Sequence, residues 1–148
     1  MVGVDASSEG ISQATAQYPE VSFVHGSVYD RLSSTMGNFP AAICLEVIEH
    51  LYSPRLLVKT LVDVLEPGGT LILSTPYHGY MKNLALAASG RMDEHFTALW
   101  DHGHIKFWSP ATLTTLFREG GFQNLRIQRV GRIPLLAKSM VLVATSPI

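Results

Sequence analysis

The chain has 148 residues, 47% of them apolar and 16% charged, with a formal net charge of −1. That length and apolar share suit one globular domain with a sizeable core and exclude a disordered chain. The near-neutral balance and the lack of a long basic run give no support for strong electrostatic binding to nucleic acid or an anionic membrane, although an RNA end held by a few local contacts stays open. No stretch approaches the roughly 18 apolar residues that span a bilayer, and no basic-then-apolar start marks a signal peptide, so a cytoplasmic protein is expected. Cys44 is the single cysteine. It excludes an internal disulfide and reads as a small buried hydrophobe.

In chain order, Val2 to Asp5 reads as a short strand ending in an acid. Glu9 to Gln17 reads as a helix ended by Tyr18-Pro19. Val21 to His25 is a second strand, broken at Gly26, and Ala41 to Leu45 is a third. A helix is expected from about Val47 to Leu65, then a turn at Glu66-Pro67-Gly68-Gly69, where Pro ends the helix and Gly supplies positive φ. Thr70 to Ser74 is a fourth strand. Residues 76–104 break the rhythm, and long connections of this kind often serve as lids over a site. Ser109-Pro110 starts another helix, with Ser as N-cap and Pro in the first turn, and Gly120-Gly121 ends it. Phe122 to Arg132 and Ser139 to Thr145 are strands with no helix between them, so they pair as an antiparallel hairpin. Alternating strands and helices make the chain one α/β domain.

Five segments together carry a resemblance. They are Val-Gly-Val-Asp at 2–5, Cys-Leu-Glu-Val-Ile-Glu-His at 44–50, Leu-Glu-Pro-Gly-Gly-Thr-Leu-Ile-Leu-Ser-Thr-Pro at 65–76, Gly-His-Ile-Lys-Phe-Trp-Ser-Pro at 103–110 and Glu-Gly-Gly-Phe at 119–122. The chain resembles the class I S-adenosylmethionine-dependent methyltransferases, most closely the group that includes ubiquinone-biosynthesis O-methyltransferases. The resemblance implies a Rossmann-like sheet with an antiparallel terminal strand. It also implies that Asp5 and Ala6 hold the cofactor ribose, that Ser27 and Val28 lie near the adenine, and that Leu45 and Glu46 line the methyl-transfer pocket. Many relatives carry an acid where Ser27 stands. The family's first strand and Gly-rich loop have no counterpart before Val2, and that strand would sit between those at 2–5 and 41–45. The expectation is therefore a partial domain over 1–148, lacking its first strand, with weakened binding at the methionine end of the cofactor.

Glu46, Glu49 and His50 stand at i, i+3 and i+4, so a helix starting near Glu46 would project all three from one face. Two carboxylates and an imidazole suit a hard or borderline divalent ion, and His104 would close the site from the lid. This set resembles that of plant small-RNA 2′-O-methyltransferases, where two Glu and two His hold Mg²⁺. The same residues also allow catalysis without a metal, with His50 as general base beside Glu49. A structural role for each is the plain alternative. Tyr77, His78 and His104 are candidates for the acceptor pocket, with Tyr80, Met81, Phe96 and Trp100 as possible aromatic walls. A small-molecule acceptor is expected. Two further readings remain open: a nicotinamide oxidoreductase, since Asp5 would suit that ribose equally, and a non-catalytic remnant that dimerises through its open sheet.

Overall fold

Short-range signals set most elements. The computed structural model describes residues 1–96 and 98–148. β1 (Val2–Asp5) leads into α1 (Ser8–Gln17), which Ser7 caps by accepting from the Gly10 N–H at 3.0 Å. β2 (Ser22–His25) lies parallel to β1, with Val4 opposite Val24. After a short α2 (Leu32–Met36) come β3 (Phe39–Leu45), α3 (Pro54–Val64) and β4 (Leu65–Pro76). Two helices, α4 (Tyr80–Ala88) and α5 (Met92–Phe96), occupy the long connection. α6 (Pro110–Glu119) opens on a capping box between Ser109 and Thr112. β5 (Gln123–Val130) and β6 (Ser139–Thr145) finish the chain.

The strands form a parallel pair, β1-β2, and a four-stranded sheet in the order β3-β4-β6-β5. β3 and β4 are parallel, and β6 is antiparallel to both its neighbours. The strand at 41–45 lies beside that at 70–74, and the expected antiparallel terminal strand is met. β1 and β3 each pair on one side only.

α3 and α6 cover one face of the larger sheet. Leu57, Val58, Leu61 and Val64 of α3 are buried at helical spacing, as are Leu113, Leu116 and Phe117 of α6. All of these but Val64 share a core with Leu71, Leu73, Leu142 and Ala144. Each such side chain contributes roughly 1.5–3 kcal/mol by leaving water. α6 approaches α3 so closely that a Cβ on Gly120 would meet Val58 Cγ1 at 2.2 Å. Cys44 faces this core, and burial pushes its thiol up to about 12. The opposite face is barer. Ile43, Ile72 and Val143 form one cross-strand row, with Ile43 68% exposed.

Three expectations need correction. The helix expected over 47–65 is two elements, a 3₁₀ turn at Ile48–His50 and α3 from Pro54. Pro54 lacks an N–H and pushes Ser53 out of the α region, so the helix starts there. The turn at 66–69 instead lies within β4 as a bulge. Phe39 pairs with Leu65 and Ala41 with Thr70, while Gly68 and Gly69 bond to the chain end at Pro147 and Ser146. β3 also begins at Phe39, two residues early, and α2 precedes it unannounced. No helix among the described residues is long and apolar enough to cross a membrane.

Candidate functional site

β3 and β4 end side by side, with Leu45 opposite Ser74. The chain then turns sharply at Glu46, whose φ of 52° lies in the left-handed region. A non-glycine residue there costs on the order of 1 kcal/mol. Ser74 holds it. The Glu46 N–H donates to the Ser74 carbonyl at 3.1 Å, and the Ser74 hydroxyl donates to Glu46 Oε1 at 2.7 Å. This turn replaces the helical start that was expected, and it leaves Glu46 exposed while Glu49 is buried.

Glu49 points inward. It is 1% exposed, and Thr75 donates to its Oε2 at 3.0 Å while Oε1 has no partner. Burial holds its carboxyl above the usual carboxylate range, and Glu46 adds to this. Its own backbone N–H, the Thr75 hydroxyl and His50 oppose the rise. His50 is exposed, and its ring rests on the connection before α6. Its Nδ1 lies 2.9 Å from the His102 carbonyl and 3.3 Å from that of Gly103. Carbonyls only accept, so Nδ1 carries the proton and, in the neutral ring, Nε2 keeps a free lone pair. The N–H groups of Ile105 and Lys106 both donate to the Glu49 carbonyl, at 2.9 and 3.0 Å. These bonds bring His104 beside His50, with ring centroids 4.9 Å apart. Burial, then the His50 ring, lowers the pKa of His104, and Glu46 opposes this. Glu49, His50 and His104 each offer a ligand atom within 4.8 Å of the other two. Glu46 is outside this set.

Beyond β4, Tyr77 and His78 are both buried. His78 lies against His95, Phe96 and Phe107, with centroids 5.2, 6.2 and 5.0 Å away. Trp100 stands 5.8 Å from His104, whereas Tyr80 and Met81 face outward. Thr97, inside the long connection, lies outside the described residues.

At the end of β1, Asp5 is exposed and its Oδ1 accepts from the Ser7 N–H at 2.7 Å. Ala6 follows, its carbonyl 3.0 Å from His25 Nε2. After β2, the Ser27 N–H donates to Asp30 Oδ2 at 2.7 Å. The next turn of chain is tied to α3: the Thr60 hydroxyl donates to the Val28 carbonyl at 2.7 Å, and the Ser53 N–H donates to the Tyr29 hydroxyl at 3.2 Å. The sequence reading passed over Ser74, Thr75, Asp30, Asn83 and His95. For Ser74 and Thr75 a signal existed, because they close a parallel strand, where α/β folds gather their ligands.

A family model described as a methyltransferase domain matches residues 1–127. A ubiquinone biosynthesis O-methyltransferase of Xanthomonas axonopodis pv. citri is 35% identical over 100 residues, covering 66% of this chain and 41% of that protein. The protein of the same name from Aromatoleum aromaticum is 22% identical over 139 residues, covering 91% and 59%. The chain thus spans about half the length of the curated relatives it matches. Among solved structures, the N-methyltransferase NodS from Bradyrhizobium japonicum, in complex with S-adenosyl-L-homocysteine, aligns over 99% of this chain and 66% of its own, with a TM-score of 0.66 at 15% identity. The cyclase SpnF aligns over 99% and 66%, with a TM-score of 0.72 at 15% identity. Those two likenesses establish the fold, and its occurrence in a cyclase shows that the fold alone does not fix an activity. The sequence matches do more, and on them the chain belongs to the methyltransferase domain family, in the S-adenosylmethionine-dependent class that includes the ubiquinone-biosynthesis O-methyltransferases.

Proposed function

We propose that this chain serves S-adenosylmethionine-dependent methyl transfer to a hydroxyl oxygen of a small molecule. The observation that carries the reading is the meeting of Glu49, His50 and His104 beside the paired ends of β3 and β4. The O-methyltransferases among its relatives support oxygen as the receiving atom, and family membership favours methyl transfer over the nicotinamide reading.

The residues present fit the cofactor. One Asp5 oxygen is taken by Ser7, which leaves Oδ2 for a ribose hydroxyl. Ala6 would lie at the ribose, Ser27 and Val28 beside the adenine, and Leu45 and Glu46 along the floor of the pocket. When bound, the cofactor supplies an electrophilic methyl group on a positively charged sulfur. The protein's part is to place the acceptor and take its proton. His50 Nε2 accepts that proton as the oxygen gains its methyl bond. The carbonyls of His102 and Gly103 then steady the imidazolium through Nδ1–H, and Glu49 supplies nearby negative charge. Residues 76–104 act as the lid, bringing Tyr77, His78 and His104 to the acceptor.

Glu49, His50 and His104 also fit a divalent metal. Glu49 Oε1 is buried without a partner, and the Nδ1–H of His50 rests on carbonyls, as a ligating histidine's does. Two imidazoles and one carboxylate favour Mn²⁺, Co²⁺ or Zn²⁺ over Mg²⁺. Such an ion would lower the pKa of the acceptor hydroxyl.

The test is methyl transfer to catechol, with His50→Ala and with chelator. His50→Ala should lower transfer by about 100-fold or more while cofactor affinity changes little. Full transfer by that variant would refute the role given to His50. Loss of activity in chelator with recovery in Mn²⁺ favours the metal, and indifference favours His50 as the base.

A further inference from the structure

β4 ends with two consecutive hydroxyl residues, Ser74 and Thr75, and each is bonded to a different acid of the segment after β3. The Ser74 hydroxyl donates to Glu46 Oε1 at 2.7 Å, and the Thr75 hydroxyl donates to Glu49 Oε2 at 3.0 Å. Successive residues of a strand alternate between its two faces. β4 keeps that alternation here, because its pairing with β6 runs without a shift from Thr70 to Pro76. Thr75 therefore shares a face with Leu71 and Leu73, and all three are fully buried. Ser74 shares the barer face with Ile72. Glu46 and Glu49 are thus held from opposite faces of one strand end.

The backbone at Glu49 is fixed by other bonds. Its carbonyl takes the N–H groups of Ile105 and Lys106, at 2.9 and 3.0 Å, which ties it to the segment that carries His104. His50 is steadied separately, by the His102 and Gly103 carbonyls at Nδ1. The Glu49 carboxylate itself is left to Thr75, which supplies its side-chain hydrogen bond among the described residues. A glutamate side chain is long and populates several rotamers unless something holds it. With Oε2 held, Oε1 is buried without a partner. A carboxylate oxygen of Glu49 lies within 4.8 Å of a ring nitrogen on His50 and on His104.

We propose that the Ser74–Thr75 pair sorts the two acids, and that Thr75 is the positioning residue that keeps the Glu49 carboxylate at His50 and His104. This role follows from reading Glu49, His50 and His104 as the reacting centre. Thr75 touches neither cofactor nor acceptor in it and acts through Glu49. The same pair accounts for the absence of Glu46 from the histidine cluster, since Ser74 holds that carboxylate from the other face.

Mn²⁺ titrated into the full chain, read by broadening of the His50 and His104 ring resonances, tests this beside methyl transfer to catechol. Thr75→Val keeps the branched shape and removes the hydroxyl. It should raise the Mn²⁺ concentration that broadens those signals by about tenfold or more, as loss of a partner behind a metal ligand does. It should lower kcat for catechol by a similar factor, with little change in KM for S-adenosylmethionine. Thr75→Ser, which keeps the hydroxyl, should restore both. Thr75→Ala gives the same comparison, with room for a water beside Glu49, should valine impair folding. Ser74→Ala, which releases Glu46 instead, should leave the Mn²⁺ response as in the wild type. A Thr75→Val protein that matches the wild type in both readouts would overturn the proposal. So would a loss that Thr75→Ser does not restore, or an equal loss of the Mn²⁺ response in Ser74→Ala. Wild-type behaviour in Thr75→Val removes only the role of Thr75. A wild type with neither selective broadening nor methyl transfer removes the reading of the cluster, and the role of Thr75 with it.

Discussion

His78 should make the protein's stability depend on pH over a defined interval. Its ring is 6% exposed, and burial among Phe96, Phe107 and His95, with Lys82 nearby, lowers its pKa from 6.5 to about 4. Above pH 6.5 the ring is neutral in both the folded and unfolded states and contributes no dependence. Between 6.5 and about 4 the unfolded chain takes the proton and the folded chain does not, so stability falls as pH falls. Each pH unit costs about 1.4 kcal/mol, which totals roughly 3 kcal/mol across the interval. Urea unfolding at about pH 7 and pH 4, on the wild type and His78→Phe, isolates this contribution, because the other titrating groups are common to both. The wild type should lose roughly 3 kcal/mol more than the variant. Parallel losses would refute the reasoning, since they would mean that the ring titrates normally in the fold.

The remaining predictions concern packing and the cofactor. Phe117 is fully buried and meets Phe122 edge-on at 5.4 Å, so Phe117→Ala should cost about 3–5 kcal/mol in urea unfolding. Gly120→Ala places a methyl against Val58 and should cost about 1–3 kcal/mol, whereas Gly90→Ala, which has open space around it, should cost little beyond its strained φ of 68°. Asp5→Asn should weaken S-adenosylhomocysteine binding by about tenfold by calorimetry, because an amide presents one acceptor oxygen where the carboxylate presents two. A variant that binds as tightly as the wild type would remove Asp5 from the cofactor site.

The strands were legible because hydrophobic runs ending in Asp5, Glu46 and Pro76 carry a strong local pattern, and the antiparallel terminal strand followed from the hairpin reading and the family resemblance. The same holds for α6, where Ser109-Pro110 marks the start. Ser53-Pro54 carries the same mark for α3, but it was masked by apolar residues at helical spacing. Ile48 and Leu51 are buried as a helix would bury them, yet they lie in a 3₁₀ turn and the residue just after it. The turn at Glu46 was not legible. Its left-handed φ depends on Ser74, 28 residues away, and no local propensity reports such a partner. That turn decides which acid joins His50, so the metal-like set contains Glu49 and His104 but not Glu46. The pairing of His78 with His95 was hidden for the same reason, since it depends on how α5 packs back toward the end of β4.

The most direct test of the account is whether Glu49, His50 and His104 act as one cluster. Mn²⁺ titrated into the full chain, followed through the histidine ring resonances, reports this by paramagnetic broadening. The His50 and His104 signals should broaden first and together, well ahead of His25, and Glu49→Gln should remove the effect. Uniform broadening of all histidines, or broadening unchanged in Glu49→Gln, would contradict the site.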